Sequence, residues 1–225
     1  MTLPADDGST RPDLPDAVRV QILATEHWSL LATRQLYWTE AFSRVNIFLT
    51  VLSAAVVALA LVAQTDRGHN FTVFAVVLLP VVLFLGLGTY FRLGSINKAE
   101  SKVVIGMNRL RHAYFDIAPD LEPYFVTDSH DDLEGVERTI ELGGPVRANF
   151  PVLQVIASTP VIVGIVDVVI AGVLCGIGAR AAGLSTGAVF GIGALGALVL
   201  LGLLALMPVV AIYRYQKDYQ PLFPG

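Results

Sequence analysis

The chain has 225 residues, of which 54% are hydrophobic and only 15% are charged. This composition is too apolar for a soluble domain of its size, and a net charge of -4 gives no basic footprint for nucleic acid. The excess comes from four apolar windows, at about 45–63, 71–91, 152–177 and 187–213. Each window can cross a hydrocarbon core of about 30 Å as a helix, and none alternates like a barrel strand. The predicted fold class is therefore an all-α polytopic protein with four transmembrane helices in a lipid bilayer.

A long first helix is predicted because neither Gly nor Pro occurs between Asp16 and Gly68. Helical periodicity also continues beyond the second window, so a helical segment is expected between spans 2 and 3. The predicted segments are a flexible cytoplasmic tail (1–15), a long helix entering the membrane as span 1 (16–64), span 2 (71–93), a cytoplasmic helical segment (94–150), span 3 (151–178), span 4 (186–213) and a second cytoplasmic tail (214–225).

The distribution of cations predicts the orientation. Of the 15 Lys and Arg residues, only Arg67 and Arg180 lie in the two short loops that join spans 1 to 2 and 3 to 4. By the positive-inside rule, both termini and the central segment should be cytoplasmic. The acidic start lacks the basic and apolar regions of a secretory signal, so span 1 is expected to insert as an internal anchor. The predicted location is the inner (plasma) membrane, as a multi-pass protein.

Four side chains before the first apolar window are candidate oligomer or partner contacts: Trp28, Leu31, Tyr37 and Trp38. Tyr37 and Trp38 also suit an interfacial aromatic belt. Trp28 lies too far from the window for that role. It is expected either to pack on the central segment of its own chain or to contact another subunit, and the sequence leaves both open.

An acidic run follows the irregular connection at 118–126 and allows two interpretations. Its carboxylates and imidazole could bind a divalent ion, but the spacing lacks the central Gly and distal Glu of a calcium loop. The sequence favours a solvated helix start with Ser129 as the N-cap. No metal site is predicted. The run consists of Asp128, His130, Asp131, Asp132 and Glu134.

Span 3 carries a carboxylate, Asp167, on a stripe of small residues. Gly164 and Ala171 flank it on this stripe, and Gly187 and Gly191 form a G-x-x-x-G pair at the start of span 4. Small residues allow close helix approach in membranes, so these four residues are predicted to pack spans 3 and 4 into a hairpin.

Asp167 is the intramembrane functional candidate, because ionisable groups in the bilayer are costly and often mark ion pathways. No Lys or Arg lies in any of the four apolar windows to pair with it. It is expected either to be neutral and hydrogen-bonded, with Thr50, Ser53 and Thr89 as candidate partners, or to face water. The first case predicts a packing residue, and the second a pore or a proton site.

Enzymatic motifs are not found. The chain lacks G-x-S-x-G, H-E-x-x-H, C-x-x-C and Walker A patterns, and its four histidines are scattered outside the apolar windows. The pair Gly86-x-Gly88 follows no strand and has no third glycine, which excludes a dinucleotide fold. No enzyme is predicted, and no catalytic, cofactor-binding or metal-binding residues are assigned.

Three runs carry a resemblance to a family of uncharacterised actinobacterial, and so bacterial, multi-pass membrane proteins: 27–34 (HWSLLATR), 48–55 (FLTVLSAA) and 107–114 (MNRLRHAY). The resemblance covers most of the first 130 residues and implies no activity. More distantly, a helix followed by a two-span hairpin and a cytoplasmic helix is similar to SLATT-type membrane effectors. That likeness implies oligomerisation and pore opening on a nucleotide signal. The second apolar hairpin departs from it, and no binding residue carries over.

Three functions are therefore predicted in order. The first is a homo-oligomeric membrane protein that acts as a cation channel or pore-forming effector. The second is a structural or interaction protein whose cytoplasmic helices recruit a partner, with Asp167 only packing helices. The third is a proton-coupled transporter. The expected partners are the lipid bilayer, further copies of the chain and an unidentified cytoplasmic ligand or protein.

Overall fold

A computed structural model describes residues 14–65, 68–140 and 158–225. All regular structure in these ranges is helical, which confirms the all-α fold class. The elements are α1 (Asp16–Thr65), α2 (His69–Ile117), a 3₁₀ turn (Pro119–Tyr124), α3 (Leu133–Ile140), α4 (Thr159–Ala181) and α5 (Thr186–Asp218).

Four of these helices, α1, α2, α4 and α5, are long and apolar enough to cross a membrane. Their most apolar stretches have a mean hydropathy of 2.5 to 2.6. A helix satisfies its backbone hydrogen bonds internally, which is the condition for crossing lipid. The chain therefore fits a multi-pass integral membrane protein, as its composition predicted.

The helix boundaries differ from the sequence prediction mainly in α2. Span 2 (71–93) and the start of the helical segment predicted from residue 94 belong to one helix, because α2 continues without a break through Gly94 and Ser95 to Ile117. One interior glycine costs a helix only about 1 kcal/mol, which packing along a 49-residue helix outweighs. The predicted start of span 3, at residues 151–157, lies outside the described residues. Helix α4 begins at Thr159, with Pro160 in its first turn. The N–H groups of a first turn have no partner within the helix, so a proline, which has no N–H, removes no helical hydrogen bond there.

The chain divides into two compact units. The first comprises residues 14–33, 103–140 and 222–225 of the described chain, and the second comprises 34–102 and 158–221 apart from the undescribed positions. The core of the second unit joins α1, α2 and α4, while large apolar side chains on the outer faces remain exposed, as expected for lipid-facing helices. The buried core residues are Phe48, Ala55, Ala75, Leu79, Val82, Leu93, Val163 and Ile170.

Helices α4 and α5 pack along each other as a hairpin. Gly183 turns the chain between them with a φ of +75°, a conformation that glycine adopts without a steric penalty. The close contact lies at Gly193 and Gly196. A Cβ on Gly193 would lie 3.0 Å from the carbonyl oxygen of Gly172, and one on Gly196 would overlap the Sγ of Cys175. Because these two glycines have no side chain, the backbones of α4 and α5 can approach each other closely here.

Candidate functional site

Asp167 lies on α4 between Val163 and Ile170, on the side that joins the core. Its side chain has no exposed surface, and neither carboxyl oxygen has a hydrogen-bond partner among the described residues. Gly86 of α2 lies directly against it, because a Cβ built on Gly86 would overlap the carboxyl group. The missing side chain of Gly86 is therefore what makes room for Asp167.

The hydroxyl partners expected for Asp167 are engaged elsewhere or point away. Thr50 and Ser53 lie on an exposed side of α1. Thr89 is buried, but its hydroxyl donates to the carbonyl oxygen of Leu85 in its own helix, at 2.8 Å. An isolated charge in such surroundings is very costly, which favours the neutral carboxyl form. In this arrangement the group fills space between two helices.

A second close approach lies one turn along from Gly86. The ring of Tyr90 on α2 lies against Gly164 of α4, where an added Cβ would be 3.2 Å from Cε2 of that ring. Each helix thus places a small residue opposite a large or polar one: Gly86 opposite Asp167, and Gly164 opposite Tyr90. The sequence predicted that Gly164 packs against span 4, and a Cβ on it would lie 3.6 Å from Cδ1 of Leu204 in α5. The closer contact, to the ring of Tyr90 on span 2, was not predicted.

The hydroxyl of Tyr90 also contacts α5. It donates to the carbonyl oxygen of Leu204 at 2.7 Å, and Leu204 is buried. Leu204 is four residues before Pro208, which has no N–H to donate back to that carbonyl. Transmembrane helices tolerate proline where a neighbouring helix satisfies the freed group. Tyr90 therefore supplies the bond that Pro208 removes.

Two carboxylates join α1 to α2 near the apolar windows. Glu40 accepts from both Nε and Nη2 of Arg92, each at 2.7 Å, in a bidentate pair. Glu100 accepts from the Nε of Arg34 at 2.9 Å and from the indole Nε1 of Trp38 at 2.8 Å. Trp38, a candidate partner contact by sequence, thus has a partner within its own chain.

The remaining predicted contact residues have different surroundings. Trp28 is 70% exposed and Leu31 is 37% exposed, whereas Tyr37 is half-buried. The neighbouring Leu30 lies against α2, where a Cβ on Gly106 would be 3.0 Å from its Cδ1. Of the two alternatives left open for Trp28, packing on its own chain is not seen among the described residues, since most of its side chain remains exposed.

In the hairpin, the contact predicted for Gly187 and Gly191 is replaced by another pair. Both glycines are exposed, and a Cβ on either would meet no atom within 4 Å. The contact lies at Gly193 and Gly196 instead, because the side of α5 that faces α4 is the one carrying those two residues. Ala171 lies in this contact, with its carbonyl oxygen 3.8 Å from the Cβ position of Gly196.

The acidic run forms a second cluster, in the first unit. Asp131 has no exposed surface and accepts hydrogen bonds from the backbone N–H groups of Leu222 and Phe223 at 3.0 and 2.8 Å. The Nε of Arg109 donates to the same carboxyl at 2.7 Å. The ring of Phe223 stacks on His112 with a centroid distance of 4.1 Å. Asp131 therefore holds segment 222–225 against the end of α2.

These contacts change the electrostatic description of the run. Burial alone would raise the pKa of Asp131, but the bonds from Leu222, Phe223 and Arg109 lower the pKa overall. The expectation of a solvated helix start is therefore wrong for this residue. The N-cap of α3 is Asp132 rather than Ser129, because Asp132 Oδ1 accepts from the Gly135 N–H at 2.8 Å.

Asn108 completes this cluster from α2. It is fully buried and donates to the backbone carbonyls of His130 and Gly135, at 2.7 and 3.2 Å. The oxygen of its side-chain amide, Oδ1, accepts hydrogen bonds from the hydroxyl of Thr139 and the guanidinium of Arg111. Among the described residues, no group of three or more His, Cys, Asp or Glu side chains is placed to hold a metal ion. The run is thus used in folding contacts.

In comparisons with known proteins, the chain matches no protein-family model, no curated protein and no solved structure.

Proposed function

We propose that this chain is a non-enzymatic membrane protein that acts by recruiting a partner rather than by conducting ions. The observation that carries this proposal is a contrast in exposure. The only acidic side chain of the apolar windows, Asp167, is fully enclosed within one chain, whereas Trp28 is 70% exposed. Tryptophan is among the residue types that contribute most at protein interfaces. We call Trp28 and Leu31 together the Trp28 patch.

The placement of the patch on α1 supports this role. Leu30 faces α2 within the first unit, so the neighbouring Trp28 and Leu31 point away from that contact. The cation distribution supports a cytoplasmic location for this part of α1, and the proposed setting is the inner (plasma) membrane of a bacterium. A soluble partner, a cytoplasmic ligand or another membrane protein could then reach it without crossing lipid.

Site-specific photocrosslinking in cells tests the proposal. A photoreactive amino acid at position 28 should give a discrete protein adduct. The same group at Ser29 should not, because that exposed position is about 100° around the helix. The variant Trp28→Ala, carrying the photoreactive group at Leu31, should lose most of the adduct. Equal labelling at positions 28 and 29, or no protein adduct at either, would refute partner recruitment through this patch.

A homo-oligomeric cation channel is the second candidate. The observation that favours it is that both Asp167 oxygens lack a hydrogen-bond partner among the described residues. Such a group could ionise if subunit assembly or gating brought water to it. Cation flux in proteoliposomes that falls with Asp167→Asn would support this candidate. Flux that is absent across membrane potentials would dismiss it. No described feature favours a proton-coupled transporter over these two.

A further inference from the structure

Segment 222–225, with the sequence Leu-Phe-Pro-Gly, lies on the first unit without belonging to a helix. None of its four residues is buried, and the side chain of Leu222 is 64% exposed. The segment therefore covers the surface of the unit and does not enter its interior. Parts of a chain that bury little apolar surface open at low cost in free energy. This segment can leave without disrupting the packing beneath it.

Every backbone N–H of the segment donates to a carboxylate. The N–H groups of Leu222 and Phe223 donate to the two oxygens of Asp131, at 3.0 and 2.8 Å. The N–H of Gly225 donates to Oδ2 of Asp132 at 3.0 Å. The remaining position is a proline, which has no N–H, so no donor is left over. In return, the N–H of Asp131 donates to the carbonyl oxygen of Phe223 at 3.2 Å.

Two histidine rings contact the segment where its side chains differ most in size. The ring of Phe223 stacks on His112 of α2, with a centroid distance of 4.1 Å. At Gly225, an added Cβ would lie only 3.1 Å from Cγ of His130, so a larger residue requires that ring to move. The contacts therefore favour an aromatic residue, then a residue without an N–H, then glycine. The sequence Phe-Pro-Gly occurs once in the chain, at 223–225.

The acceptors are held in place by the unit itself. The carboxyl group of Asp131 also accepts from Nε of Arg109 at 2.7 Å, an ion pair that does not involve the segment. The other oxygen of Asp132, Oδ1, caps α3 through the N–H of Gly135. Both carboxylates are thus oriented by α2 and α3, and acceptors that are already oriented lose less entropy on binding. We call His112, His130, Asp131 and Asp132 the aromatic-Pro-Gly site.

We propose that the aromatic-Pro-Gly site binds a protein segment of that sequence, and that the chain's own segment 222–225 occupies it reversibly as an internal competitor. Backbone hydrogen bonds supply affinity in such peptide sites, and side-chain contacts supply specificity. The occupant that replaces the segment belongs to a different protein. Exchange of segments between two copies would only remake the bonds that each copy already has, and association would cost entropy without a gain.

This site goes beyond recruitment through the Trp28 patch and does not depend on it. The crosslinking test at position 28 requires no change in segment 222–225. The peptide test of the aromatic-Pro-Gly site requires no change in α1. Either proposal can therefore fail while the other stands.

Fluorescence anisotropy with a labelled peptide tests the site on the full chain in lipid nanodiscs. The probe is Gln-Pro-Leu-Phe-Pro-Gly, the sequence of residues 220–225, with a fluorophore at its amino end and an amide at the other end. Phe223→Pro removes the stacking ring and one N–H donor of the internal competitor. This variant should bind the probe about tenfold more tightly than the wild type, because one hydrogen bond to a charged group is lost from the competing segment.

The matched control is Gln220→Ala, which alters an exposed residue just before the segment and leaves the internal competitor intact. It should bind the probe no more tightly than the wild type. Equal binding by the wild type and Phe223→Pro would overturn the proposal, because the segment would then not compete for the site.

Changes in the probe test specificity without altering the chain further. Methylation of the backbone nitrogen of its phenylalanine should weaken binding to Phe223→Pro about tenfold or more, because the donor to Asp131 is lost. Replacing that phenylalanine by alanine should weaken binding about threefold to tenfold through loss of the stack on His112. Replacing the leucine by alanine should have little effect, because the corresponding side chain is mostly exposed. Equal affinities of the parent and methylated probes would contradict the proposed site.

A measurement on the wild-type chain does not depend on the folding of any variant. Excess parent probe should accelerate amide hydrogen exchange at Phe223, because the displaced segment loses its carboxylate acceptors. Mass spectrometry separates this segment from the added probe, and the methylated probe should leave the exchange unchanged. Absence of probe binding to Phe223→Pro, together with unchanged exchange in the wild type, would refute the inference.

Discussion

The bond from Tyr90 to Leu204 provides the sharpest test of the packing between the second and the last spanning helix. Tyr90→Phe removes the hydroxyl and leaves the Leu204 carbonyl with no donor from its own helix, because Pro208 has no N–H. An unsatisfied buried group costs about 1–3 kcal/mol in general. Hydrogen bonds between transmembrane helices average about 0.6 and reach about 1.7 kcal/mol. We expect a loss of about 1 kcal/mol in the free energy of unfolding.

Cys175 offers an intrinsic probe for this measurement. It is the only cysteine, and its Sγ packs against Gly196 in the α4–α5 hairpin, so a thiol-reactive fluorophore reports the separation of these helices on heating. A loss of about 1 kcal/mol should lower the midpoint by about 2–4 °C. The matched control Tyr213→Phe alters an exposed tyrosine of the same helix as Leu204 and should have no effect.

A double-mutant cycle tests whether Tyr90→Phe destabilises the chain because Pro208 leaves the Leu204 carbonyl without a donor. Pro208→Ala restores an N–H that can donate to the Leu204 carbonyl within α5. In that background Tyr90→Phe should cost much less than in the wild type, since the carbonyl already has a partner. An equal loss in both backgrounds would refute the argument that Tyr90 compensates for Pro208, and no loss in either would refute the bond itself.

Three further outcomes are expected. Gly86→Ala should lower the thermal midpoint of the chain by several degrees, because its Cβ overlaps the Asp167 carboxyl, and pairing it with Asp167→Ala should recover part of the loss. Gly196→Ala should destabilise the hairpin in the same assay while Gly187→Ala, which meets no atom within 4 Å, should not. The pKa of Asp131 is lowered in the folded chain, so its stabilisation is complete above the ordinary value of 3.8 and is lost as pH falls through the lower folded value. Amide hydrogen exchange in segment 222–225, corrected for intrinsic rates, should accelerate in that acidic range in the wild type but show no such step in Asp131→Asn.

The number and type of helices could be predicted from the sequence, because those properties depend on local patterns. A bilayer of fixed thickness requires apolar windows of a certain length, and the absence of Gly and Pro from Asp16 to Thr65 allows one continuous helix. The continuity of α2 through Gly94 was not predicted. Local propensity there opposes the helix weakly, and packing along its length overrides it.

The candidate site was predictable only in part. Asp167 is conspicuous as a carboxylate in an apolar window, but its neighbour Gly86 has no distinguishing signal among 20 glycines. The same limitation applies to the hairpin, where four glycines open α5 and only the rotation of that helix decides which of them meet α4. Asp131 gave no sign of burial, since its partners Leu222 and Phe223 lie about ninety residues further along the chain.

The sequence by itself determined that this chain has four membrane-crossing helices and one carboxylate within their apolar windows. Hydrophobic length and the need to satisfy every backbone group in lipid leave little choice. The tertiary structure decided what each polar group meets: Asp167 meets Gly86, Tyr90 meets the carbonyl freed by Pro208, and Asp131 meets the N–H groups of segment 222–225. Helix rotation and long-range contacts set these neighbours, and neither is encoded in the periodicity of a single segment.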